Sequence, residues 1–299
     1  MTNLTIGVVH PGEMGSTVGA SARANVSRVL WASEERSPQT AARAAAAGLE
    51  DAKNLASLVA ASEVILSVCP PHSALDLARA VAAHGFSGIY VDANAVSPGT
   101  AREIGGVIEQ GKHGEQGKHG KQGGATFVDG GIIGPPARAR GTTRLYLSGE
   151  QAGRVVSLFE QGPLEAIAVE GGPGAASALK MAYAAYTKGT SALLVSIRAL
   201  AIHAGVDEAL LAEWARSQPE VGARSERAAG ETARKAWRFV GEMAEIAATF
   251  DDAGLPDGFF LAAGKIYESL AGYKDAPGMP SAAEVAKALM GGRPEKFTR

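Results

Sequence analysis

The residues whose types and spacing could do chemistry begin at the N-terminus. An apolar run ends in Gly7-Val8-Val9-His10-Pro11-Gly12-Glu13-Met14-Gly15 and passes into a helical stretch over residues 16–25. A strand, a tight glycine turn and a helix in that order present unpaired backbone N–H groups and a positive dipole end, the requirements of a dinucleotide pyrophosphate. Gly12 lets the backbone approach the phosphates and Gly15 lets helix and strand pack closely, while His10 stands where the usual G-x-G-x-x-G has its first glycine. At the end of the next strand the chain reads Ser33-Glu34-Glu35-Arg36-Ser37. Arg36 with Ser33 and Ser37 suits a 2′-phosphate through charge-assisted hydrogen bonds, whereas Glu34 and Glu35 suit free ribose hydroxyls or face water. The expectation is NADP, with NAD the alternative. His113 and His119 fall in a GKHG repeat with no carboxylate or thiolate cluster around them, so no metal is assigned.

These residues need elements that place them. The first half alternates β-type runs, over 4–9, 29–32, 64–68 and 88–92, with Ala-rich helical stretches, the pattern of a parallel sheet covered on both faces. Ser37-Pro38 is a helix start, a capping hydroxyl followed by proline at the first helical position. Runs over 126–129, 144–147 and 166–169 complete the sheet. Beyond the punctuation at Gly171-Gly172-Pro173-Gly174 only helical spacing follows, over 175–203, 207–216, 225–250, 259–270 and 281–290. The expected architecture is an α/β Rossmann-type, doubly wound N-terminal domain over 1–170, followed by an all-α C-terminal domain over 171–299. The stretch 111–124 contains no apolar residue and is expected to be a disordered insertion loop.

Composition excludes several classes. A formal charge of −2 and the lack of a long Lys/Arg run give no footprint for nucleic acid. The most apolar stretch, over 193–204, is interrupted by Arg198 and His203 and reads as a buried helix, not a membrane span. No export signal is read at the N-terminus, and a single cysteine, Cys69, fits a reducing compartment, so a cytoplasmic location is expected. Cys69 ends an apolar strand and reads as a packing residue.

The chain resembles the β-hydroxyacid dehydrogenase superfamily, which includes 3-hydroxyisobutyrate and 6-phosphogluconate dehydrogenases, in the branch with a DUF1932-type C-terminal domain. The resemblance is carried in order by His10-Pro-Gly-Glu-Met-Gly15, Ser67-Val68-Cys69-Pro70-Pro71, Asp92-Ala93-Asn94-Ala95-Val96-Ser97-Pro98, Asp129-Gly130-Gly131-Ile132-Ile133-Gly134-Pro135-Pro136 and Gly174-Ala-Ala-Ser-Ala-Leu-Lys180-Met181. It implies hydride transfer between NADP and a small hydroxy acid or the matching oxo acid, with Lys180 moving the proton. It also implies cofactor contacts from His10, Pro11, Gly12, Glu13, Met14, Gly15, Ser33, Arg36, Val68, Cys69, Pro70 and Asn94. Substrate contacts are implied for Asn94, for a loop from Gly130 through Gly131, Ile132 and Ile133 to Gly134, and for Tyr183, Trp237 and Glu242.

Several positions depart from the relatives. Ala184 stands where many have asparagine, Ile133 replaces their serine, and Tyr183 and Thr187 replace the histidine and glutamate of the 6-phosphogluconate enzymes. Glu242 occupies the place of a second lysine, which implies a less anionic substrate. Trp237 and Met243, at helical spacing, read first as core residues. A homodimer through the 175–203 helix is expected, because that helix carries more apolar surface than a small domain covers. Two other functions fit the same residues. One is an imine reductase, against which Lys180 argues; the other is a non-catalytic NADP-binding sensor or scaffold, which Ala184 and Ile133 would permit.

Overall fold

The computed structural model describes residues 2–110, 124–274 and 276–291, so residues 111–123, nearly all of the expected insertion, lie outside the described residues. The chain divides into two compact units, Met1–Met181 and Ala182–Arg299. In the first, β1 (Thr2–Val9), α1 (Glu13–Arg23), β2 (Val26–Trp31), α2 (Pro38–Ala46), β3 (Glu50–Asp51), α3 (Leu55–Ala61), β4 (Val64–Ser67), α4 (Ala74–Ala83), β5 (Ile89–Asp92) and α5 (Pro98–Gln110) alternate strictly. They are followed by β6 (Thr126–Ile133), β7 (Arg144–Ser148), α6 (Ala152–Val156), β8 (Glu165–Ala168) and the first turns of α7 (Ala175–His203).

The eight strands form one sheet in the order β3-β2-β1-β4-β5-β6-β7-β8, with every neighbouring pair parallel except β6 and β7. Successive strand residues enter opposite cores. Val64, Leu66, Ile89 and Val91 pack into one apolar layer with Val18 and Ala22 of α1, whereas Ile65 and Tyr90 pack into the other with Leu58 of α3 and Ala78 of α4. Burial on both faces explains the nearly unbroken apolar strands. The chain leaves β1 in opposite directions to β2 and, by way of β3, to β4. The order therefore reverses between β1 and β4, and the crevice at the carboxyl ends of these strands is where such sheets bind ligands.

Two strand expectations are corrected. β2 starts at Val26, and β3, two polar residues paired with Leu30 and Trp31, is too short to show a period in the sequence. β6 does not stop at residue 129. It continues through Gly130-Gly131-Ile132-Ile133, paired in antiparallel register with Leu147 to Arg144 of β7, so the expected Gly130–Gly134 loop is a strand up to Ile133. Glycines signal a turn in sequence, but a ladder uses only the backbone groups that they retain.

The second unit holds the rest of α7 with α8 (Asp207–Ser217), α9 (Val221–Asp252), α10 (Gly258–Ser269) and α11 (Ala282–Met290), and no strand among the described residues. Arg198, in the most apolar stretch of α7, is buried. Its guanidinium donates to both carboxylate oxygens of Asp207, at 2.7 and 3.0 Å, and to Ser225 Oγ at 2.8 Å, and it pairs with Glu226 at 3.0 Å. No helix of the described residues is long and apolar enough to cross a membrane.

Candidate active site

The glycine turn follows β1 directly. His10 adopts a positive φ of 67°, the left-handed conformation that the family pattern provides with glycine and that histidine enters more readily than most residues. Gly12 caps α1, which starts at Glu13, earlier than the sequence suggests. A Cβ on Gly12 would meet nothing within 4 Å, so the backbone here is open to a ligand, whereas a Cβ on Gly15 would collide with the His10 carbonyl oxygen. His10, Gly12, Arg36, Thr40, Val68, Pro70 and Ser73 line one pocket of about 350 Å³. Within it, burial and then the charge of Arg36 push the His10 imidazole down to about 4, so it is neutral near pH 7, and its buried Nδ1 has no hydrogen-bond partner. An open glycine cradle at a helix N-terminus, an exposed guanidinium and an orphaned buried nitrogen fit a phosphorylated dinucleotide.

Ser33 is held differently from Arg36. Its hydroxyl donates to Asp51 Oδ2 at 3.0 Å, and Lys53 bridges the same oxygen at 2.9 Å, which ties the loop after β2 to the end of β3. Ser37 accepts from Thr40 N at 3.2 Å and caps α2, with Pro38 in the first turn. Pro11 is buried, Met14 is half-buried and Glu13 is exposed in the first turn of α1.

At the ends of β4 and β5 a buried polar brace joins the two strands. Asn94 Oδ1 accepts from Cys69 N at 2.5 Å, and Asn94 Nδ2 donates to Ser67 Oγ at 2.9 Å and to Asp92 Oδ1 at 2.5 Å. The amide expected beside cofactor and substrate thus makes three bonds within the chain. Burial foremost pushes the fully buried Asp92 carboxyl up to about 7, the Asn94 hydrogen bond opposes this, and Asp129 on the neighbouring strand adds to it. Asp92 Oδ2 and the Tyr90 hydroxyl are buried without partners. Burial also pushes the Cys69 thiol up to about 12, which leaves it an unreactive thiol.

Lys180 lies in the second turn of α7, against β6. Its Nζ donates to the Ile132 carbonyl at 2.7 Å. Gly131 makes this approach possible, since a Cβ there would lie 2.8 Å from Lys180 Cβ and 2.9 Å from the Ala176 carbonyl oxygen. The start of α7 is gripped by Asp129. This buried carboxylate accepts from Gly174 N, Ser177 N and Ser148 Oγ, each at 3.0 Å, and from Ser177 Oγ at 2.6 Å.

In the second unit Ala184 and Met243 are buried, Tyr183 is half-exposed, and Trp237 is 43% exposed with Lys274 Nζ 4.4 Å above its ring. The first assignment of Trp237 to the core is therefore corrected; its face of α9 is covered by a cation instead of apolar side chains. Glu242 forms a largely buried ion pair with Lys188 at 2.8 Å. Its charge is compensated within the chain, and the inference of a less anionic substrate loses its basis.

The sequence offered no signal for Thr40 and Ser73 in the pocket or for Asp129 as the cap of α7. That cap joins residues 45 and 48 positions apart, which no local pattern reveals. Among the described residues no group of His, Cys, Asp and Glu could hold a metal.

The sheet order and the glycine turn at its reversal define a doubly wound, dinucleotide-binding type of fold. Comparison with known proteins agrees. The domain of unknown function DUF1932 matches residues 201–270. The uncharacterized 28.5 kDa protein in the 7S RNA 5′ region of Methanothermus fervidus is 32% identical over 209 residues, 70% of this chain and 75% of that protein. A conserved protein of unknown function, described as structurally similar to 3-hydroxyacid dehydrogenases, superposes with a TM-score of 0.65 at 26% identity over 91% of this chain and 100% of its own. The Mycobacterium tuberculosis 3-hydroxyisobutyrate dehydrogenase, solved with L-serine, shares the fold with a TM-score of 0.66 at 16% identity, over 98% of this chain and 100% of its own. The chain belongs to the same family as the Methanothermus fervidus protein, carries a DUF1932 domain, and shares the fold of the 3-hydroxyacid dehydrogenases.

Proposed function

We propose that this protein is an NADP-dependent oxidoreductase that interconverts a small hydroxy acid and the matching oxo acid. The observation that carries the proposal is the placement of Lys180 at the carboxyl end of β6, on the same sheet edge as the glycine turn after β1. Gly12 and the N-terminus of α1 would hold the pyrophosphate, and Arg36, with Thr40 in the same pocket, would hold the 2′-phosphate. When bound, the nicotinamide supplies the acceptor or donor of hydride. Lys180 would take the proton from the substrate hydroxyl in oxidation and return it to the oxygen in reduction, the work of a general base and acid. Asn94 would act through its bonds to Cys69, Ser67 and Asp92, which fix the strand ends beside the crevice. Val68 and Pro70 would exclude water along the same wall.

The test uses purified protein with NADPH and a panel of small oxo acids, and with NADP and the matching hydroxy acids. A change in absorbance at 340 nm with at least one acid is the expected result. Saturable NADPH binding with no absorbance change across acids and imines would contradict the proposal and point to a cofactor sensor.

A further inference from the structure

We propose that Asp129 is the positioning residue for Lys180: its carboxylate sets the register of α7 on β6 and so determines where the Lys180 amine rests. This rests on the reading of Lys180 as the proton-transfer residue. Strand and helix meet at successive points. Asp129 holds Gly174 N and Ser177 at the first turn, Gly131, two residues further along β6, receives the Cβ of Lys180, and Ile132 accepts its Nζ. A lysine stem has four rotatable carbons, so a single bond at its tip does not fix the amine; its Cα must be fixed as well. Ser177 precedes Lys180 by three residues, one helical turn, on the same face. Both backbone donors and the Ser177 hydroxyl end on this one carboxylate, and Ser148, which also donates to Asp129, accepts from Ala176 N at 3.1 Å. Four donors converge on this one side chain, so the contact resists sliding as well as fraying.

The inference is tested on the whole protein by competitive acetylation with acetic anhydride across a pH series, with Lys180 and Lys53 read by peptide mass spectrometry. Lys53 lies in the same unit, ion-paired to Asp51, and is the internal reference. In Asp129→Ala, Lys180 is expected to label at least ~3-fold faster relative to Lys53, the size of one lost hydrogen bond, with its pH profile displaced. Asp129→Asn should restore the wild-type rate, because the amide oxygen still accepts the backbone donors and the Ser177 hydroxyl can turn to accept from the amide nitrogen. If Asp129→Ala does not fold, Ser177→Ala, which removes the 2.6 Å bond alone, must shift the labelling in the same direction. An unchanged Lys180 profile in folded Asp129→Ala or Ser177→Ala, an equal change at Lys53, or an Asp129→Asn variant that labels as Asp129→Ala does, overturns the inference. The labelling needs no substrate, so it decides the role of Asp129 separately from turnover. Loss of the Asp129 effect leaves Lys180 catalysis standing, and normal turnover in Lys180→Met removes that catalysis but leaves the labelling result from the Asp129 variants in force.

Discussion

At the scale of single residues the proposed cofactor pocket presents one exposed cation beside a neutral imidazole. Arg36 faces the same pocket as His10, and the imidazole, driven down to about 4, adds no charge of its own near pH 7. On the proposal that the cofactor is NADP, recognition of its 2′-phosphate would fall to the guanidinium. Arg36→Ala is expected to weaken NADPH binding by ~1.5 to 3 kcal/mol, the range of a charge-assisted contact, and to leave NADH binding nearly unchanged. Calorimetric titration with both cofactors checks this, and equal losses would mean that Arg36 supports the fold alone. The turn itself was legible in the sequence because its requirements are local. Gly15 gives the close packing that its spacing suggests, Gly12 leaves open space beside its backbone, and His10 meets the positive φ of the missing glycine with its own backbone. The charge of Glu242 was not legible, because the residue that neutralises it, Lys188, lies on another helix. Trp237 misled for a similar reason: helical spacing shows that residues share a face but not what covers that face.

At the scale of elements the strand ends carry the proposed site, and their polar brace makes stability depend on pH. The Asp92 carboxyl is held at about 7 in the folded chain against 3.8 for the free group. The folded state therefore binds the proton more tightly, and this contribution is complete below the lower value and is lost as the pH rises through the upper one. Asp92→Asn removes the titration while keeping an acceptor for Asn94. Between pH 5 and pH 8 its stability should improve relative to the wild type by ~2 kcal/mol, an order-of-magnitude value from a slope of at most ~1.4 kcal/mol per pH unit. Urea denaturation at the two pH values measures the difference, and parallel changes in both proteins would refute it. The parallel strands were readable from apolar runs because each is buried on both faces. β3 and the second half of β6 were not, since two polar residues have no period and Gly130-Gly131 reads as a turn until its backbone partner on β7 is known. The junction of β6 with α7 was hidden likewise. Its lysine was visible through the glycine-rich lead-in, but the carboxylate that grips the helix was not.

At the scale of the whole molecule a homodimer through α7 is the proposal. Leu179, Tyr186, Leu193 and Leu200 recur at every seventh residue, and each is between 39% and 68% exposed. A row of exposed apolar residues along a helix is a surface that a second copy could cover. The wild type is expected to be a dimer in light scattering at micromolar concentration, and Leu193→Glu combined with Leu200→Glu should reduce it to a monomer. A monomeric wild type, or a variant of unchanged mass, would exclude this interface. Replacing one amine tests the proposed chemistry most directly. Lys180→Met keeps the bulk and apolar stem of the side chain on α7 and removes the proton carrier. Steady-state turnover at 340 nm, with NADPH and an oxo acid that the wild type reduces, is predicted to fall at least ~100-fold while NADPH affinity stays near the wild-type value. Near-normal turnover in the folded variant would contradict the account and move the proton transfer to another residue.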